Sequence, residues 1–195
     1  MNILSSHNGP INALQFDHKN IVTGSDDATI KVWNMEVGQC INTLHAQKFP
    51  VRCLQFFEFA LTSGGDNIVR MWDTRTGSCC RQLFGHTAPI TTLQFDEYNL
   101  ISGSLDETIR IWDLRTGTCQ KTLLMHHPVN SLCFNSQYLV VGTEEKNIRV
   151  FNTSRFQHLK NLTGNSDAVN SVKIFGSTVV SGGKDNSIHL WYLDK

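Results

Sequence analysis

The six cysteines include no CxxC pair, and no apolar run approaches the roughly 18 residues of a membrane span. Neither sign of charge is in excess: lysine plus arginine number 17, and aspartate plus glutamate 17. No overall field therefore draws in nucleic acid or an anionic membrane surface. Residues 1–10 are polar and contain no apolar core of signal-peptide length. The expectation is a cytoplasmic or nuclear protein with no direct membrane insertion. Zinc-finger spacing is missing as well. Cys40, Cys79 and Cys119 each close a turn, in VGQC, TGSC and TGTC, and Cys80 adjoins Cys79. All read as small apolar residues, buried or half-buried, rather than as metal ligands or a redox pair. With no phosphate-cradling glycine loop, HExxH pair or calcium loop, neither cofactor nor metal is expected. Asn152 and Asn161 open glycosylation triplets, but without a secretion signal these read as chance matches. The 3.6-residue apolar spacing of a helix is not sustained anywhere.

Regularity appears instead at a much longer interval. Trp33, Trp72, Trp112 and Trp191 share one register, and Phe151 fills the remaining slot, with steps of 39, 40, 39 and 40 residues. The four prolines keep the same interval: Pro10, Pro50, Pro89 and Pro128 each precede an apolar residue, Ile11, Val51, Ile90 or Val129, that is expected to open a strand. Proline there removes no ladder hydrogen bond. The third copy shows the unit most clearly. Its strands are expected over Ile90 to Phe95, Asn99 to Gly103, Thr108 to Trp112 and Thr118 to Leu123, separated by turn residues. A 40-residue period of four short strands is the signature of propeller blades. The units fall at about residues 5–44, 45–84, 85–124, 125–163 and 164–195 of one domain.

These repeats resemble the WD40 family, whose units carry a hydrogen-bonded histidine, serine or threonine, aspartate and tryptophan. The resemblance implies an all-β propeller of five four-stranded blades. It also implies a complete set at His7, Thr23, Asp27 and Trp33 in the first repeat, and at His86, Ser102, Asp106 and Trp112 in the third. The second supplies Ser63, Asp66 and Trp72, with His45 displaced by a longer entry loop. The fifth supplies Ser181, Asp185 and Trp191, with Asn165 at the histidine position. Both should hold a weaker network. The fourth departs throughout, with Val141, Glu145 and Phe151 in these positions and His126 or Met125 at the entry. Losing the whole polar set costs little when no buried donor is left alone.

Serine, histidine and aspartate together invite a nucleophile reading. A catalytic triad, however, occurs once beside an oxyanion hole, whereas this set recurs with each repeat and ends on a tryptophan. No catalytic residue is assigned. A propeller presents function through its loops and channel rim. Two groups are expected to point there: Asn12, Arg52, Thr91, Asn130 and Asn170 inside the first strands, and Asp26, Gly65, Leu105, Glu144 and Lys184 before the turn aspartates.

Two kinds of relative share the repeats. F-box/WD-repeat substrate receptors of ubiquitin ligases are similar in GSLD, IRIWD and the turn ending TGxC. They read phosphorylated peptides with clustered arginines, of which only Arg52 is present here, and Asp26 and Glu144 would repel such a ligand. The WD40 domain of mitochondrial division adaptors is similar through GGDNIVRMWDTRTG, GHTAPITTLQFDEYNLISGSLDETIRIWDLRTG, HHPVNSLCF and VVGTEEKNIRVFN. That resemblance implies a non-catalytic scaffold that binds a dynamin-related GTPase, peripheral on the cytosolic face of the mitochondrial outer membrane. An architectural subunit of a larger complex is the remaining reading. Residues Asn2 to Leu4 resemble the end of a fourth strand, so an N-terminal strand could close the ring; otherwise the five blades form an open arc of a larger propeller.

Overall fold

The computed structural model describes residues 3–45 and 48–194. Within them the chain is built from antiparallel sheets. The first comprises β1 (Ile11–Phe16), β2 (Asn20–Ser25), β3 (Ile30–Asn34) and β4 (Gln39–Leu44). The second comprises β5 (Cys53–Phe57), β6 (Ala60–Gly64), β7 (Ile68–Asp73) and β8 (Ser78–Phe84). The third holds β9 (Ile90–Phe95), β10 (Asn99–Ser104), β11 (Thr108–Asp113) and β12 (Cys119–Leu124), and the fourth β13 (Val129–Phe134), β14 (Tyr138–Thr143), β15 (Ile148–Asn152) and β16 (Gln157–Leu162). The fifth has three strands, β17 (Val169–Phe175), β18 (Thr178–Gly183) and β19 (Ile188–Tyr192). Every sheet is a meander in sequence order, as the short turns between strands require. No helix long and apolar enough to cross a membrane occurs among the described residues.

Strand limits differ from the sequence reading by about one residue. Val51 is the larger exception: it is fully buried but stands ahead of β5, which begins at Cys53. The residue does its packing from the loop rather than from the ladder.

Buried apolar side chains form separate cores, one between each pair of successive sheets. Val22, Ile30, Val32 and Leu44 of the first blade meet Val51, Leu54, Phe56, Leu61 and Trp72 of the second. Val69 and Leu83 of the second meet Ile90, Leu93, Leu100 and Trp112 of the third. The third and fourth join through Ile101, Ile109 and Ile111 against Val129, Leu132 and Phe134, and the fourth and fifth through Val140, Ile148 and Val150 against Val169, Val172 and Val179. The first, third and fourth blades repeat one rule, their second and third strands presenting β-branched residues to the first strand of the next, whereas the second blade presents Val69 of β7 and Leu83 of β8.

Between the fifth and first blades no such core exists among the described residues. Ile11, Leu14 and Phe16, which hold the positions of Val51, Leu54 and Phe56, are 51%, 56% and 69% exposed. Nor does the N-terminal stretch close the ring. Ile3 and Leu4 belong to no strand, and Asn2 lies outside the described residues. Leu4 instead lies against the β3–β4 turn of the first blade, 3.7 Å from where a Cβ on Gly38 would stand. Among the described residues the five blades form an open arc.

Candidate interaction face

The third blade ties its loops to its strands through one chain of hydrogen bonds. The Trp112 indole N–H donates to Ser102 Oγ at 2.8 Å, and that hydroxyl lies 2.8 Å from His86 Nε2. His86 Nδ1 is 2.8 Å from Asp106 Oδ2. The ionised carboxylate can only accept, so Nδ1 carries the proton and Nε2 accepts from the serine. Asp106 also receives the Thr87 N–H at 3.0 Å and the Thr108 hydroxyl at 2.6 Å. Burial pushes this carboxyl up, but these bonds and that from His86 outweigh burial and hold it below its ordinary value. Burial lowers the pKa of His86, overcoming the opposing pull of Asp106. The neutral ring is therefore the form the fold prefers. The first blade repeats the set, with Trp33 donating to Thr23 at 2.8 Å, His7 2.7 Å from Thr23, and His7 2.8 Å from Asp27.

The other blades solve the same problem differently. In the second, Trp72 donates to Ser63 at 2.9 Å, but Asp66 is gripped by Arg70, with both guanidinium nitrogens at 2.8 Å. His45 lies exposed at the end of β4 and takes no part. The expected weaker network is thus replaced by a buried bidentate ion pair, because an arginine two residues before the tryptophan points to the same face of β7. That basic residue stands in the sequence as VRMW, and nothing in the repeat pattern links it to the missing histidine. In the fifth blade Trp191 reaches Ser181 at 3.1 Å and Ser181 reaches Asn165 at only 3.4 Å. Asp185 turns to Ser187 at 2.6 Å and to the Ser166 N–H at 3.0 Å, bonds that bring its carboxyl down to about 2. The fourth blade replaces the set with Val141 and Phe151, and Met125 fills the entry position while His126 is exposed.

The cysteines follow from strand irregularities. Cys40, Cys79 and Cys119 sit opposite Trp33, Trp72 and Trp112, half-buried and free of disulfides. Cys80 is the extra residue of the bulge between Met71 and Trp72, so it turns outward and is exposed, contrary to the buried reading. Desolvation pushes the thiol of the half-buried Cys53 up to about 12, which leaves it unreactive.

Bulges also build the rim. The register shifts between Ile11 and Ala13, between Val129 and Ser131, and between Val169 and Ser171, which singles out Asn12, Asn130 and Asn170. Thr91 is the equivalent extra residue of β9. A bulged residue leaves the ladder and re-aims its side chain. Beside this group stands the second, placed by a backbone bond from Asp26, Leu105, Glu144 and Lys184 to the carbonyls of Pro10, Pro89, Pro128 and Ala168. Several rim side chains are spent on the fold. Asn12 donates to Asp26 at 2.6 Å and to the Val51 carbonyl at 3.1 Å, Asn130 to the Val169 carbonyl at 3.1 Å, and Thr91 to the Val129 carbonyl. Lys184 pairs with Glu144 at 3.1 Å. Arg52, Leu105 and Asn170 are exposed.

Gly65 does not join them. It is buried, and a Cβ there would stand 1.9 Å from the Pro50 carbonyl. The second repeat runs SGGD where the others run TGSDD, SGSLD, VGTEE and SGGKD. Its turn is one residue short, and the rim position has no counterpart. A largely apolar cleft of about 280 Å³ opens at this place, lined by Phe49, Pro50, Arg52, Gly65 and Pro89 among others. Asn12, Asp26, Arg52 and Thr91 share a second, polar cleft beside it.

Comparison with known proteins places these features. A family model described as "WD40: WD domain, G-beta repeat" matches residues 1–34, 38–73, 77–113, 117–152 and 156–192. A stretch of 44 residues, 23% of the chain, is 43% identical to the "Probable E3 ubiquitin ligase complex SCF subunit scon-2" of Neurospora crassa, of which it covers 7%. A stretch of 57 residues, 28% of the chain, is 42% identical to the "Mitochondrial division protein 1" of Phaeosphaeria nodorum, of which it covers 8%. The matched stretches thus span less than a tenth of these relatives. The computationally designed Ika8 protein superimposes with a TM-score of 0.88 at 30% identity, over 95% of this chain and 59% of the designed one.

Proposed function

Because this chain belongs to the WD40 family of G-beta repeat domains, whose repeats serve as protein-interaction scaffolds, we propose that it is a non-catalytic adaptor that holds a protein partner on its rim. One observation carries the reading. Ser102, the hydroxyl that a nucleophile would need, is fully buried, bonded to His86 and already accepting the Trp112 indole. The set that resembles a triad is spent inside the sheet, with no room for a substrate carbonyl.

The partner we favour is a dynamin-related GTPase in mitochondrial division, bound at the cytosolic face of the outer membrane. Supporting this are matches to proteins named mitochondrial division protein 1 from Phaeosphaeria nodorum, Schizosaccharomyces pombe and Malassezia globosa. The chemistry of the rim also supports it: Asp26, Arg52, Leu105, Glu144 and Lys184 offer mixed charge with an apolar cleft at hand, suited to a folded protein surface. A phosphopeptide calls for clustered guanidinium groups, and Asp26 shares the cleft of Arg52.

The test is retention of a purified dynamin-related GTPase on the immobilised chain. Binding should weaken at least tenfold in the double variant Arg52→Glu, Leu105→Glu, with the fold unchanged by circular dichroism. If phosphopeptides are captured and the GTPase is not, the ligase-receptor reading replaces this one. If neither is retained, the chain is an architectural subunit.

A further inference from the structure

The two ends of the arc are the separated halves of one interface, and we infer that the fifth blade of one copy seats the first blade of a second copy, head to tail. At each interior interface a glycine in the second strand receives a side chain from the next blade. A Cβ on Gly24 would stand 2.4 Å from Val51, one on Gly64 2.7 Å from Ile90, one on Gly103 2.5 Å from Val129 and one on Gly142 2.8 Å from Val169. Each glycine is therefore a seat for a β-branched knob. Gly182 is the fifth member of the series, and nothing lies within 4 Å of its Cβ position. The knob that would fill it is Ile11, which heads the first blade and is exposed.

The surroundings of the seat match as well. Ile188 and Leu190 occupy the positions of Ile30 and Val32, but are 78% and 61% exposed where those two are 0% and 1%. Across from them, Leu14 and Phe16 occupy the positions of Leu54 and Phe56. Apolar faces of this kind mark protein–protein contacts.

Polar groups set the register. Asn12 and Asn130 each donate to the first carbonyl of the next blade, and Asn170 holds the same position at the open end, aligned to reach Ile11 of the second copy. Ser131 accepts the Val172 N–H from the following blade at 3.1 Å, and Ser171 is its counterpart at the open end. Along the rim, Glu144 of the fourth blade pairs with Lys184 of the fifth, and the next residue in that row is Asp26, of opposite charge to Lys184. Because the two faces differ, the contact is heterologous, and copies add in one direction into a closed ring or an open array. This inference concerns the ends of the arc and does not depend on what the rim binds.

Two variants of the 195-residue chain test it, each blocking one end through residues that carry no weight in the fold. Gly182→Phe fills the seat, and Leu14→Asp places a charge on the opposite face. In sedimentation equilibrium the unaltered chain should show a mass that rises with concentration to twice that of one copy or more. Each variant alone should remain at the single-copy mass, with an unchanged circular dichroism spectrum. Mixing the two should restore one complex of one copy each and nothing larger, since only one pair of intact ends remains. The inference is overturned if the unaltered chain stays at the single-copy mass up to the millimolar range, if either variant still self-associates, or if the mixture does not combine.

Discussion

The third and fourth blades lie side by side with the same strand order and the same register irregularities, yet they are fastened in opposite ways. One threads indole, hydroxyl, imidazole and carboxylate into a continuous chain of hydrogen bonds. The other puts Phe151, Val141 and Met125 in the corresponding space and packs them dry. The lesson is that the hydroxyl and indole can give way to apolar packing when no buried donor is left alone, and the one charged member that stays in the fourth blade, Glu145, is paired with Arg149 at 3.2 Å. The second blade offers a third solution, in which the aspartate remains and a guanidinium replaces the imidazole.

The largest effect is expected where a charge would be stranded. Asp66→Ala leaves the buried Arg70 guanidinium without its partner and should lower stability by about 3–5 kcal/mol, measured by native-state hydrogen exchange in β6 and β7. Next comes Ser102→Ala, which orphans the Trp112 indole and His86 and should cost about 1–3 kcal/mol in the third blade. A double-mutant cycle in the fourth blade sharpens the contrast. Val141→Ser and Phe151→Trp should each destabilise, while together they recover about 0.5–1.5 kcal/mol of coupling as the new indole finds the new hydroxyl. Strictly additive costs would show that the apolar blade has lost the geometry of the polar one.

The smallest effect is a pH dependence in the third blade, carried by His86. The folded state lowers the pKa of His86, so it favours the neutral ring; that stability is complete above about pH 6.5 and is lost as pH falls below it. Asp106 is held below its ordinary value of 3.8, so its contribution persists to lower pH and is lost as pH falls through the depressed value. Protection factors in β10 and β11, each taken relative to the intrinsic exchange rate at that pH, should fall between pH 7 and 5. His86→Asn, which imitates the fifth blade, should flatten that response.

The repeat itself was legible because a 40-residue interval of tryptophans requires no knowledge of neighbours. The tetrads of the first and third repeats could be read because each residue falls at a fixed offset from its tryptophan. Arg70 as the partner of Asp66 was not, since a strand's basic residue can face solvent or the turn; Arg149 pairs with Glu145 in the same way in the fourth blade, which has a full-length loop. The loop residue missing from the second repeat removed Gly65 from the rim and opened the cleft beside Arg52. The outward turn of Cys80 depended on a bulge, which shifts a side chain from one face to the other without any mark in composition.

By itself the sequence determined the number of blades and the strands of the first four, because alternation and period are local properties of the chain; the expected fourth strand of the fifth blade is not among the described residues. The tertiary structure alone decided that the arc stays open. Closure depends on whether the first and fifth blades meet, and Ile11, Leu14 and Phe16 stay exposed where their counterparts Val51, Leu54 and Phe56 are buried. No pattern within a single repeat records that contact.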